Sequence, residues 1–549
     1  MSRTLQAASS SAATGSDRRK WWVLAAMVFG LFMPMLDNLV VNTALPTIQR
    51  SLGTGVSGLQ WIVDAYVLAF ASFMLTGGAL GDLYGRKRFF MLGLFVFIFG
   101  SLMCGLSSTT GELVGFRFVQ GLGAALLLPG SLSIITATFS GRERGAAIGI
   151  WAAFSALALA VGPIVGGFLV EHVSWQSIFF VNIPVGAVAI TMTYLVVRES
   201  RDEHPSRRID PPGLVTGTAG LFFLVYALIE GNNRGWTDPL ILGSFALAGV
   251  VLTAFFVIEA RSESPMLPLS FFKIRTFAAA NVVAACVFFA LFGTVFFLTL
   301  YFQDVNGYSP VGAGIRLFPF PLMILLIAPV AGRLSDRYGS RWFMTAGPLC
   351  SAIGLTLLLR TQPDSSYFSV IFPGQIIWGI GMALTMAPMT AAVMASVPVR
   401  NAGIASATTN TSREIGGVFG VALLGAIVTS TFKRGFSGRL VAGGFTKVQA
   451  TSIVAHAGSK AAAGGGTLAA FQHQAPPGTP PAQIVAVYHA AQNAFVHALH
   501  IGMVVAIGAM LLAATVAAVF VRSHVGAHDT QGRGDGAAQG ADGQVAHVG

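Results

Sequence analysis

The chain has 549 residues, of which 54% are hydrophobic and 10% charged, with a net charge of +11. Soluble proteins carry about 25% charged residues, so a soluble enzyme, a disordered chain and a disulfide scaffold are excluded and a polytopic membrane protein remains. The basic excess is first a topology signal, not a nucleic-acid signal. Cys104, Cys286 and Cys350 lie in apolar runs without Cys-x-x-Cys or Cys/His spacing, so neither a metal site nor a disulfide is expected.

A polar leader over 1–20 precedes the first apolar run. Stretches of the roughly 17–25 residues needed to cross a hydrocarbon core then fall at 21–45, 58–80, 88–107, 112–138, 145–170, 175–197, 212–231, 239–259, 276–303, 312–332, 342–360, 368–397, 403–431 and 494–521. The expected fold is an all-α integral membrane protein with 14 transmembrane helices. Between the last two spans, 433–492 reads as an external linker that has room for short helices, and 522–549 as a disordered tail.

With the N-terminus inside, the cytoplasmic segments collect 22 of the 33 basic residues and the short outer loops three. Five lie in 433–492 and three, Arg117, Arg316 and Arg413, within spans. Both termini are therefore expected in the cytoplasm. The Arg-over-Lys, Ala/Gly-rich usage suits a GC-rich bacterium and its plasma (inner) membrane.

The chain repeats itself. Gly78-Ala-Leu-Gly-Asp82-Leu-Tyr84-Gly85-Arg86-Lys87 returns as Gly332-Arg-Leu-Ser-Asp336-Arg337-Tyr338-Gly339-Ser-Arg341, and Gly121, Gly123, Gly145, Gly162 and Gly167 return as Gly379, Gly381, Gly403, Gly420 and Gly425. The shift spans an even number of helices, so the copies have parallel topology. This predicts six-helix bundles over 21–197 and 276–521, with two inserted helices in 198–275.

These motifs are identified as those of the major facilitator superfamily. The 78–88 loop resembles the family's signature loop, with Leu83 where Arg is usual, and the resemblance implies a conformational latch of Gly78, Asp82, Gly85, Arg86 and Lys87 with Asp336 and Arg337 in the second copy. Leu36-Asp37 through Pro46 resembles the first-helix signature of drug:proton antiporters. Arg117-Phe-Val-Gln120-Gly121-x-Gly123 resembles the fourth-helix proton-transfer motif, and Gly162-Pro163-Ile-Val-Gly166-Gly167 the fifth-helix antiporter motif. Trp175 through Gly186 is similar to the sixth-helix signature of the fourteen-span, QacA/EmrB-like branch, with departures at Gln176 and Ser177. The resemblance implies a proton-coupled exporter of hydrophobic or amphiphilic drugs or antibiotics, cations among them. The competing reading is export of an endogenous metabolite or lipid. It implies a monomer that meets substrate, protons and membrane lipid, with a proton gradient in place of any cofactor. No GxxxxGK[ST] occurs, against an ATP-driven pump.

Charges within the membrane are functional suspects, since each costs about 2.5–3.5 kcal/mol to insert. At 1.5 Å per residue, Asp37 lies about 13 Å from the outer end of its span, and Asp64 and Arg117 about 9 Å deep in theirs. Two carboxylates and a guanidinium thus share one level, and Asp37, Arg117 and Asp64 are the proton-coupling candidates. For Asp37 a structural carboxylate bonded to Asn38, Asn42 or a neighbouring helix is the alternative. Arg117 has the uncharged Gln375 as its repeat partner, which favours coupling over scaffolding. Asp64, Trp61, Glu414 and Asn410 are candidates for substrate contact. For Glu414 a satisfied interhelical pair competes with that role, and for Trp61 simple packing does.

Overall fold

The computed structural model describes residues 2–139, 141–201, 210–262, 265, 267, 269–397, 402–461 and 480–522. Within them it is helical, without a strand. The first group comprises α1 (Ser2–Leu52), α2 (Val56–Tyr84), α3 (Arg86–Leu106), α4 (Thr110–Thr138), α5 (Gly141–His172), α6 (Ser177–Phe180) and α7 (Asn182–Val196). Two helices follow, α8 (Pro211–Arg234) and α9 (Pro239–Arg261). The second group comprises α10 (Arg275–Leu300), α11 (Pro310–Leu317), α12 (Pro319–Tyr338), α13 (Ser340–Leu358), α14 (Phe372–Ser396), α15 (Ala402–Ala442), α16 (Lys447–Ala461) and α17 (Pro481–Phe520).

Local sequence explains the boundaries. Thr109 and Glu112 form a capping box at α4. Asp210, Asp238 and Ser309 cap α8, α9 and α11 through their side chains, each followed by proline in the first turn, where proline loses no hydrogen bond. Gly85 and Gly339 have φ of 122° and 85°, so the two copies of the repeated loop turn at a residue with no Cβ penalty.

Among the described residues, twelve helical segments are long and apolar enough to cross a membrane. The expected count of fourteen also includes α5 and α13, which are not among the twelve; α13 is dense in Gly, Ser and Thr. The two ends of the 433–492 segment are helical continuations of the flanking spans. α15 continues to Ala442, α16 follows, and α17 begins at Pro481, well before position 494. Phe432, Phe436 and Leu440 are buried at helical spacing, as on an amphipathic helix; between them Arg434 is exposed while Lys433 and Arg439 are half-buried. The expected disordered tail, beyond Arg522, lies outside the described residues.

Arg19, Lys87 and Arg522 mark one face of the molecule, the basic face. Arg19 Nε donates to Val196 O and Lys87 Nζ to Tyr194 O there. The opposite face carries the α1–α2 turn and the far end of α15. The most buried spans are α1 and α10, one in each group, and the least buried is α9.

The two groups are stitched together towards the far face. Gln60 Nε2 of α2 donates to Val421 O of α15 at 2.9 Å, and Gln303 Nε2, in the π-helical turn after α10, donates to Thr43 O of α1 at 2.7 Å. Val311 N of α11 donates to Glu171 Oε2 of α5 at 3.0 Å. Here α5 and α11 meet backbone to backbone: a Cβ on Gly167 would lie 2.8 Å from Val311 Cα, and one on Gly314 2.7 Å from Pro163 C.

The end of α8 binds across the same seam. Trp61 Nε1 donates to Glu230 Oε1 and Asn233 Nδ2 to Ser57 Oγ, both on α2. Asn232 Nδ2 donates to Ala426 O while Lys433 Nζ donates to Asn232 O, both on α15. Each such bond is worth about 1 kcal/mol net, so removing two should shift an open–closed equilibrium about tenfold or more towards far-face opening. Spin labels on the α1–α2 turn and on α16 should report a larger long-distance population in Glu230→Ala/Asn232→Ala, and an unchanged distribution would refute the clamp.

Candidate proton and substrate site

The core of the site lies between α1 and α4. Asp37 is 1% exposed and its Oδ2 is paired with Arg117 Nη1. Gln120 closes the pair: its Oε1 accepts from Arg117 Nη1 at 2.8 Å, and its Nε2 donates to Asp37 Oδ1 at 3.1 Å. Arg117 and Gln120 stand three apart on α4 and so share a face. Arg117 Nε donates to Ile62 O of α2 at 3.0 Å, and its guanidinium carbon lies 4.2 Å from the Tyr66 ring centre and 5.9 Å from that of Phe179. Beyond Gln120 the chain of bonds runs through Ser101 Oγ to Asn182 Nδ2.

The depth arithmetic therefore brings Asp37 and Arg117 into contact. Of the partners foreseen for Asp37, the structure uses the neighbouring helix; Asn42 Nδ2 instead donates to the Asn38 carbonyl. Gln120, Ser101, Asn182 and Tyr66 complete the network without having been singled out. Gln120 and Asn182 belong to quoted motifs, but nothing in the sequence marks Ser101 or Tyr66.

Asp64 sits apart from this pair. It is fully buried on α2, and both carboxylate oxygens lack a hydrogen-bond partner among the described residues. An isolated buried charge is very costly, so this geometry suits a carboxyl that holds a proton or a cation. Asp64 is one turn below Gln60, on the α2 face that meets α15.

Glu414 of α15 is 7% exposed and its Oε2 has no partner among the described residues. The adjacent Arg413 points elsewhere: it donates to Asn410 Oδ1 at 3.1 Å and Thr390 Oγ1 at 2.9 Å. From the Gln60–Val421 contact, Asp64 lies about 6 Å and Glu414 about 10 Å towards the basic face, at 1.5 Å per residue. Two incompletely bonded carboxyls thus lie within about one helical turn in depth on facing helices. Tyr66, whose ring lies under the Arg117 guanidinium, donates its hydroxyl to Pro34 O of α1 at 3.3 Å.

The remaining candidates divide. Trp61 turns towards α8, where it packs against Phe222 and Tyr226 with ring centres 5.9 and 6.2 Å away, so packing accounts for it. Gly162 and Gly166 let α5 lie against Leu39 and Val40 of α1, and Gly167 faces α11. The 78–88 segment, expected as a loop, is helical on both sides of Gly85, and within it Arg86 Nε bonds Asp82 Oδ1 at 2.8 Å. Glu199, just beyond α7, accepts from the backbone N–H groups of Lys87 and Arg88. Gly78 faces Pro129 of α4, and a Cβ on Gly85 would meet the Glu199 carboxylate. Arg337 is exposed and lies over the Tyr338 ring; the side chain of Asp336 lies outside the described residues.

Two helical groups joined at one face, with incompletely bonded acids along the seam, are the anatomy of a membrane transporter that works by moving its halves. The family model described as Major Facilitator Superfamily matches residues 27–421. The chain belongs to the major facilitator superfamily. It is 38% identical over 415 residues to the multidrug resistance protein Stp of Mycobacterium tuberculosis (strain CDC 1551 / Oshkosh), covering 75% of this chain and 77% of that one. It is 32% identical to the tetracenomycin C resistance and export protein of Streptomyces glaucescens, over 93% of both chains. Among solved structures, a bacterial homologue of the human lysosomal transporter Spinster matches with a TM-score of 0.63 at 18% identity, covering 92% of this chain and 97% of that one. That likeness concerns the fold.

Proposed function

We propose that the protein exports hydrophobic or amphiphilic drugs or antibiotics, cations among them, in exchange for protons. The observation that carries this reading is the pairing of a closed Asp37–Arg117–Gln120 network with Asp64, buried nearby and without a hydrogen-bond partner among the described residues. Asp64 and Asp37 are the proton-coupling carboxyls, and Arg117 holds the second of them in place. Glu414 and Asn410 on α15, with Asp64 on α2, contact the substrate from opposite sides of the seam, and a cationic substrate competes with the proton for Asp64. The basic face is cytoplasmic, as are both termini, in a bacterial inner membrane. α5 and α13 also cross, giving fourteen spans in two six-helix parallel-repeat bundles with α8 and α9 inserted. The matched packing of Gly93 on α4 and Gly347 on α14, 254 positions apart, supports that repeat.

Substrate-induced proton movement in inverted vesicles tests the reading. Asp64→Asn and Asp37→Asn should each lower it at least tenfold, the typical scale of a lost proton-transfer group being about 10²–10⁴. Unchanged coupling in both variants would refute the assignment. The similarity over 93% of both chains to a protein named for resistance and export favours one second reading, export of a self-made metabolite. A broad toxin-susceptibility screen in a pump-deficient host, with a protonophore control, separates the two substrate classes.

A further inference from the structure

At the basic face, the start of α10, the end of α14 and the end of α17 line an open pocket of about 310 Å³. Its lining holds three cations, Lys273, Arg275 and Arg522, two hydroxyls, Thr276 and Ser396, and the apolar Ile274. No acid is among the described residues that line it. Three like charges around one small volume repel one another unless an anion lies between them.

The donors define the anion. Thr276 is 4% exposed, and its Oγ1 accepts from the Arg522 backbone N–H at 3.4 Å. Its own hydroxyl hydrogen is left without an acceptor among the described residues. Ser396 differs, since its hydroxyl donates to Val393 O at 2.7 Å. α10 starts here without a side-chain cap, so the N–H groups of its first turn add to a set of hydroxyl, guanidinium and ammonium donors. Such a set matches the several acceptor oxygens of a phosphate.

The surroundings say which phosphate. Ile274, Val519 and Phe520 are 36%, 63% and 47% exposed beside the cations. An apolar flank adjoining a basic pocket suits a molecule with a charged head and hydrocarbon chains. We infer that this pocket binds the phosphate group of an anionic phospholipid and so pins the ends of α10, α14 and α17 to the membrane surface. The inference rests on the reading that the basic face lies at the headgroup level of a membrane.

Native mass spectrometry of the full chain in detergent, with phosphatidylglycerol or phosphatidylcholine added, tests it. The unaltered protein should retain phosphatidylglycerol preferentially. Arg275→Gln/Arg522→Gln should retain it about twenty-five-fold less, each basic side chain near an anionic surface being worth about a factor of five. Thr276→Val, which keeps the side-chain shape, should also lose retention, and covers the case in which the double variant fails to fold. Arg261→Gln, on α9 and outside the lining, should behave as the unaltered protein. Equal retention in Arg275→Gln/Arg522→Gln or in Thr276→Val would overturn the site. Inorganic phosphate that protects the protein against heat as well as phosphatidylglycerol does would overturn the lipid in favour of a soluble anion. Because the readout is lipid mass, failure of the exporter reading leaves this result standing, and the converse holds.

Discussion

Arg117→Gln is expected to destabilise the folded protein and to abolish gradient-driven export, and adding Asp37→Asn is expected to restore much of the stability but none of the transport. Arg117 is 1% exposed and bonds Asp37, Gln120 and the Ile62 carbonyl while lying on the Tyr66 ring. Removing one partner of a buried pair costs about 3–5 kcal/mol, because the other charge is left alone. With Asn at position 37 no charge remains to strand, and the neutral amide can still bond Gln120. The stability cost in the double variant should therefore be well below that of Arg117→Gln. Transport needs more than a filled site: an amide at position 37 cannot take and give up a proton as a carboxyl can. The check is a thermal midpoint for both variants alongside proton efflux from vesicles. Equal midpoints for the single and double variants would mean that the pair contributes nothing beyond shape.

Much of this pair was legible from the sequence, and the reason is geometric. A transmembrane helix advances a fixed distance per residue, so the depths of Asp37, Asp64 and Arg117 follow from counting. Rotation about the helix axis does not follow, since it depends on which neighbour a helix packs against. That is why the shared level of the three residues was foreseeable, while the pairing of two and the isolation of the third were not. Trp61 illustrates the same gap: the sequence left substrate contact and packing both open, and its direction is set by α8, whose position the sequence does not fix. Ser101 and Tyr66 were silent because a single hydroxyl or aromatic in an apolar helix has no pattern to betray it. The helical continuation past Thr431 was missed because Lys433, Arg434 and Arg439 resemble loop charges until the Phe432, Phe436, Leu440 spacing is read. The glycine motifs were the clearest signal, since close backbone approach leaves few residue choices.

Gly167→Leu is expected to hold the far face open and stop turnover while leaving each bundle folded. Gly167 of α5 faces Pro310 and Val311 of α11, and Gly314 of α11 faces Pro163 and Ile164 of α5. The atoms that a new side chain would strike are backbone, so they cannot swing aside as a side-chain tip can. Overpacking of this kind costs about 1–3 kcal/mol, a shift of roughly five- to a hundredfold. The strain falls between the bundles, where the structure can relieve it by separating α5 from α11, and the Glu171–Val311 bond breaks with that separation. The contacts that build the first bundle, such as Gly162 on Leu39, are untouched. Gly314→Leu should act alike from the opposite helix, and the double variant should be little worse than either, since both break the same contact. Gly249→Leu, on α9 with open space around it, should transport normally. Labels on the α1–α2 turn and on α16 should show the wider far face in Gly167→Leu. A closed far face together with normal export in that variant would mean that the α5–α11 contact is not part of the seal.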